Sequence, residues 1–291
     1  MLRELFEVLA PPFLAALAGW LWVRSGRAFD RKMISDLIML VGAPCLIFSS
    51  LVSLEVTPAA MVEMAQAAAT AFLCFAVLGF VFLRVLKLPT HTFLAPLLFG
   101  NQGNLGVPLC LSAFGAEGQA LALVFFAIGA SLQFSVGLFV WSGRFDPKEL
   151  IRSPVGLSAL AAAATIGFEL PVPSVLTSTT RLLGTFAIPL MLIALGVAVA
   201  EMRVTDLRRS LVMASFRLAT GLMVGFAMAE WLEFSGVGRG VLILQCAMPA
   251  AVFNHLLAQR YDRSPEQVAS IVVVSTLLTA AALPFILLFV V

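Results

Sequence analysis

Apolar residues fill this chain in blocks of roughly 18–25, the length a helix needs to cross a bilayer, with short polar turns between them. Ten such segments can be read, at about 5–23, 33–53, 60–83, 92–115, 118–141, 154–170, 179–200, 210–232, 238–258 and 267–290. The fourth is interrupted by Gly100-Asn101-Gln102-Gly103-Asn104-Leu105-Gly106-Val107-Pro108. Three amides, three glycines and a proline do not continue a plain helix through lipid. A break frees backbone N–H and C=O groups, and hydrocarbon offers no water to satisfy them, so it must be buried in protein or line a polar cavity. The ninth segment carries a second interruption, Gln245-Cys246-Ala247-Met248-Pro249-Ala250-Ala251-Val252-Phe253-Asn254-His255. Pro249 there removes a donor and clashes with the preceding turn.

Composition fits the pattern. The chain has 291 residues, 61% hydrophobic and 12% charged, against about 25% charged in a soluble domain. The expected fold class is an all-α polytopic membrane protein. A net charge of +2 gives no sign of nucleic-acid binding; the expected surroundings are lipid. Arg3 before an apolar run, with Ala16 and Ala18 beyond, resembles a signal peptide. Glu4, Glu7 and Pro11-Pro12 in mid-run argue for a retained span instead.

The turns Arg24 to Lys32, Arg84 to His91, Arg144 to Arg152, Glu201 to Arg209 and Arg260 to Glu266 hold most of the cations. They contain Arg24, Arg27, Arg31, Lys32, Arg84, Lys87, Arg144, Lys148, Arg152, Arg203, Arg208, Arg209, Arg260 and Arg263, 14 of the 18 Lys and Arg residues. Arg3, Arg181 and Arg239 fall on the other side, and Arg217 lies within a span. The excess marks those five turns as cytoplasmic, so both ends of the chain face outward in a multi-pass protein of the cell membrane.

Pro44 and Pro189, each inside a span, are 145 residues apart, and the breaks in spans four and nine keep a similar spacing. At a shift of 147, Phe114 falls on Tyr261, Gln119 on Glu266 and Ala122 on Ala269. Five spans per half is odd, so residues 1–145 and 146–291 are expected as two inverted five-helix repeats with broken helices 4 and 9 crossing near mid-membrane. Two half-helix N-termini then point partial positive charge at one small volume, which favours an anion.

The paired motifs Asn101-x-x-Asn104-x-Gly106-x-Pro108 and Ala247-Met248-Pro249-Ala250-Ala251 resemble those of the auxin efflux carrier family. So does the tail Ala258-x-x-Tyr261 with Ser275-Thr276-Leu277-Leu278 and Pro284. That family groups plant auxin exporters with bacterial carriers annotated for malonate or malate. The resemblance implies a scaffold of spans 1, 2, 6 and 7, a moving transport unit of spans 3–5 and 8–10, elevator-like motion and a homodimer through the scaffold. Only Gly143 to Arg152 joins the halves here, without the long central loop of the plant exporters. Their charged Asp and Lys pair also has no clear counterpart, which favours another organic carboxylate over auxin.

The candidate substrate-binding residues are Asn101, Gln102, Asn104, Gly106, Pro108, Gln133, Met248, Pro249 and Asn254. The amides can cap broken helix ends or donate to substrate, Asn104 foremost. Gly103 and Gly106 suit the backbone geometry of a break and close helix approach, and Pro108 the start of the outer half-helix. Gln133 either bonds a neighbouring helix or faces the cavity; Ser131 and Ser135 share another face. Arg217, eight residues after Arg209 and so about 12 Å deep, is expected to snorkel to the cytoplasmic face or pair with Asp36, with an anion-attracting role as the alternative. Asp36, Glu63 and Glu230 read as interface charges. His255, beside a break, is the best candidate for a coupling proton.

Cys45, Cys74, Cys110 and Cys246 lie in apolar segments with no metal spacing and no disulfide framework. His91 and His255 accompany no nucleophile motif or phosphate loop. No catalytic residue, metal or cofactor is expected. The reading is a secondary carrier of small organic anions working by alternating access. The rivals are a sodium- or proton-coupled symporter or antiporter of related fold, and a membrane sensor that binds without transport.

Overall fold

The computed structural model describes residues 2–53, 57–143 and 154–290. Among them all regular structure is helical apart from one isolated bridge. In chain order the helices are α1 (Leu2–Arg24), α2 (Arg31–Val52), α3 (Pro58–Val85), α4 (Thr90–Leu98), α5 (Gln102–Ser142) and α6 (Pro154–Gly167). There follow α7 (Ser174–Glu201), α8 (Leu207–Trp231), α9 (Gly236–Ala247), α10 (Val252–Arg260) and α11 (Pro265–Val290). Seven of these, namely α1, α2, α3, α5, α7, α8 and α11, are long and apolar enough to cross a membrane.

Local chemistry sets the ends. Asp30 and Asp206 accept from the N–H groups of Met33 and Arg209, both at 3.0 Å, and start α2 and α8. Thr57 caps α3, with Pro58 in its first turn where a missing N–H costs least. α5 is two helical arms, 102–114 and 116–142, divided at Gly115 with φ 66° and ψ −154°. A residue with a Cβ resists that conformation, so a glycine makes the reversal. Proline strain is absorbed upstream: widened π turns at Ile38–Gly42 and Gln102–Gly106 precede Pro44 and Pro108. The helix of α7 is interrupted at Phe186, three residues before Pro189.

The helices pack as two groups. α1 lies along α7, and α2 packs on α6 and on the first half of α7. Small residues allow the approach: a Cβ at Gly196 would strike the Ala16 carbonyl, and one at Gly19 the Ile193 carbonyl. The other group is α3, α4, α5, α8, α9, α10 and α11, whose contacts are largely with one another. Its centre is an aromatic cluster in which Phe72 meets Phe99 at 6.0 Å and Phe125 at 5.5 Å between ring centroids. The groups meet along α5, which touches α1, α2, α6 and α7.

Four of the five charged turns come together at one end. Arg31 pairs with Glu201 at 2.9 Å, Arg209 donates to Gln267 at 2.9 Å, and the Arg209 guanidinium lies over Phe93. The fifth turn, with Arg144, Lys148 and Arg152, lies outside the described residues, as does the expected boundary at 145/146. At the opposite end Arg239 pairs with Glu230 at 3.2 Å, and Arg181 reaches Ser53 at 3.4 Å.

Candidate substrate site at the helix crossing

The first break is shorter than its sequence suggests and lies at its leading edge. Phe99 is extended, Gly100 forms a bridge and Asn101 sits at φ −82°, ψ 49°. From Gln102 onward the chain is helical again, first as a wide turn and then as the first arm of α5. The second break runs from Met248 to Ala251, both with extended backbone. The two pair as antiparallel strands one bridge long, Gly100 opposite Ala250. Asn101 N–H donates to Pro249 O at 2.6 Å, and Ala251 N–H to Phe99 O at 3.0 Å. Each break thus supplies a carbonyl acceptor for one N–H of the other.

Side chains complete the joint. Ala250 N–H donates to Ser275 Oγ of α11 at 3.1 Å. The fully buried Asn254 donates to Phe99 O at 3.0 Å and accepts from Gln133 Nε2 at 3.2 Å. Gln133 is therefore an interhelical bond and Asn254 a brace of the crossing. Ser131 and Ser135 spend their hydroxyls on their own helix, donating to the carbonyls of Ala127 and Ser131.

Gly103 and Gly106 serve close packing. A Cβ at Gly103 would lie 2.7 Å from the Phe126 ring, and one at Gly106 would strike Gln245 Oε1. Pro108 is buried in the first turn of its arm. Met248 and Pro249 contribute backbone carbonyls at the joint.

Half-buried Asn104 faces a narrow cleft of about 60 Å³, shared with Ser35, Met39, Ala198, Val252, Phe253 and His255, with Arg31 among its lining residues. It lies between α2 and α7 on one side and the starts of α5 and α10 on the other. His255 turns Nδ1 to the Pro265 carbonyl at 3.0 Å. A second cleft, about 360 Å³, occupies the same seam toward the opposite end, lined by Ser49, Ser50, Ser53, Gln119, Arg181 and Thr185 among others. One arginine stands at each cleft.

Arg217 corrects the sequence expectation. Its side chain neither snorkels nor meets Asp36, which is exposed. It is 1% exposed, packed over the Phe75 ring at 4.6 Å and against Gly100, and none of its three guanidinium nitrogens has a hydrogen-bond partner. Asn101 Nδ2 and Gln102 Nε2 are also buried without partners. No Asp or Glu is buried among the described residues. The crossing is rich in donors and has no fixed negative charge.

A family model described as membrane transport protein matches residues 4–147 and 138–287. The chain belongs to the auxin efflux carrier family. This makes it a multi-pass membrane transport protein. It is 24% identical over 265 residues to an uncharacterized transporter of Methanocaldococcus jannaschii, covering 84% of this chain and 85% of that one. It is 28% identical over 195 residues to an uncharacterized transporter of Methanothermobacter thermautotrophicus, covering 63% of each. Within this carrier, reading the sequence missed Ser275 as a backbone acceptor, Gln245 as the filler beside Gly106, and Phe75 as the seat of Arg217. Ser275 lies in the Ser275-Thr276-Leu277-Leu278 motif and Gln245 opens the second interruption, which were the available signals; the place of Phe75 depends on which faces meet.

Proposed function

We propose that this carrier moves small organic anions, with a carboxylate as the recognised group, by elevator-type alternating access around the crossing. The carrying observation is the Gly100–Ala250 bridge. It brings the N-terminal ends of the α5 arm and of α10 to one place, beside a cleft holding Asn104 and His255. Such ends present unpaired N–H groups and partial positive charge, and the absence of buried carboxylates among the described residues favours an anion over a metal cation.

In this reading the chain crosses the membrane ten times, with α4 plus the first arm of α5, and α9 plus α10, as the two broken spans. Residues 1–145 and 146–291 are inverted halves. α1, α2, α6 and α7 are the fixed scaffold, through which two copies pair, and the remaining helices move as a unit. The end holding Arg31 and Glu201 is cytoplasmic, and both chain ends are outside. The clefts at the two ends of the α2–α7 seam support two-sided access.

Counterflow in proteoliposomes, with pyruvate, malonate, malate and indole-3-acetate against choline as a cationic control, tests this reading. Accumulation of at least one carboxylate and none of choline is expected. Accumulation of choline alone, or tight carboxylate binding with no flux, would overturn it.

A further inference from the structure

We infer that Arg217 is a resident cation of the crossing, occupying the role that a bound sodium ion fills in cation-coupled carriers, so that this protein moves a singly charged carboxylate without sodium. The inference rests on the transport reading above and adds the coupling and the charge of the cargo.

Three observations carry it. The guanidinium is fully buried, has no hydrogen-bond partner among the described residues, and meets no buried carboxylate. It sits where two half-helices end: α4 closes at Leu98, and α9 at Ala247. The empty Cβ position of Gly100 is 2.5 Å from Arg217 Nη2 and 3.0 Å from Met248 O, so both C-terminal ends border the guanidinium. Gly100 suits this approach, since a Cβ there would press on the end of the Arg217 side chain.

The charges balance on this arrangement. A helix terminus carries roughly half an elementary charge. Two C-terminal ends therefore present about one negative charge, which in broken-helix carriers commonly draws Na⁺. Here the tethered guanidinium meets it, permanently and at no cost of ion binding. The two N-terminal ends present about one positive charge, matched by one carboxylate. A half-turn of the Gln102 carboxamide, whose Nε2 is 2.8 Å from the same Gly100 position, would offer Arg217 a neutral acceptor without cancelling its charge. Arg217 is thus a positioning residue acting through the backbone of the crossing, away from the cleft that holds Asn104.

The test has a substrate-free arm and a flux arm. Purified wild-type protein is melted in sodium chloride and in choline chloride. Equal melting temperatures are expected, because an ion that bound the native state would raise the value. Arg217→Ala is expected to melt lower and to recover in millimolar guanidinium, while Arg217→Lys stays near wild type. If Arg217→Ala cannot be purified, Arg217→Lys and Arg217→Gln decide: equal melting of the two overturns the proposal. So does sodium stabilisation of the wild type, or an Arg217→Ala protein indistinguishable from it. In proteoliposomes, pyruvate uptake is expected to be equal in sodium and choline and to fall about tenfold or more in Arg217→Gln. A several-fold stimulation of the wild type by sodium overturns the inference. If neither pyruvate nor malonate moves, the carboxylate reading fails while the melting arm still judges Arg217.

Discussion

The backbone N–H of Asn101 donates to the carbonyl of Pro249 at 2.6 Å, joining two helix breaks that lie half a chain apart. A proline carbonyl is a sound acceptor in such a joint, because proline lacks only the donor. The bond ties two separate breaks into one joint, around which the cleft, the brace of Asn254 and the buried Arg217 are organised.

Ser275 holds a further donor of that joint, Ala250 N–H, at 3.1 Å. Ser275→Ala leaves Ala250 N–H buried and unpaired, which costs about 1–3 kcal/mol. A lower melting temperature in detergent is expected, with recovery in Ser275→Thr. An unchanged melting temperature in Ser275→Ala would show that the N–H finds another acceptor.

Gln133 and Asn254 share a hydrogen bond, so their substitutions are expected not to add. A double-mutant cycle with Gln133→Leu and Asn254→Leu should return a coupling near ~0.6 kcal/mol and no more than ~1.7 kcal/mol, the range for such bonds between membrane helices. Additive effects would place the two side chains apart.

The α1–α7 crossing has no room at Gly196. Gly196→Val is expected to lower stability by about 1–3 kcal/mol through overpacking, or to force the helices apart. Gly26, which has open space around it, supplies the control: Gly26→Asn should be tolerated, since asparagine accepts the left-handed backbone found there.

Relative motion of the two helix groups is testable by locking them. Ser35 on α2 and Leu256 on α10 line the same cleft, so Ser35→Cys with Leu256→Cys, bridged by mercury, should stop flux and regain it on thiol addition. The four native cysteines are buried or half-buried and would first be replaced. Flux that persists in the bridged protein would rule out sliding along this seam.

Much of this was legible from the chain. The long helices follow from apolar runs, the turns from charge, and both breaks from Gly, Pro and amide clusters. Their exact placement was not. The sequence marks 100–108 as weakly helical, yet helix is lost only at Phe99 to Asn101, because only there does the partner break offer backbone hydrogen bonds. Arg217 was misplaced for a related reason. Depth along a helix can be counted, but the face that meets Phe75 and Gly100 is set by how α8 rotates against α3 and α9. Of the two reasons expected for Gly103 and Gly106, close approach holds, beside Phe126 and Gln245, while neither glycine has a positive φ.

The most direct test of the crossing as the transport site is carboxylate counterflow by Asn104→Ala and Pro249→Ala at matched membrane abundance, beside Gly26→Asn as a remote control. Asn104 faces the cleft without bracing the fold, so its variant should stay folded and lose most of its flux, at least about tenfold. Pro249→Ala should lose flux as well, while the control keeps it. Wild-type flux in both crossing variants would contradict the assignment.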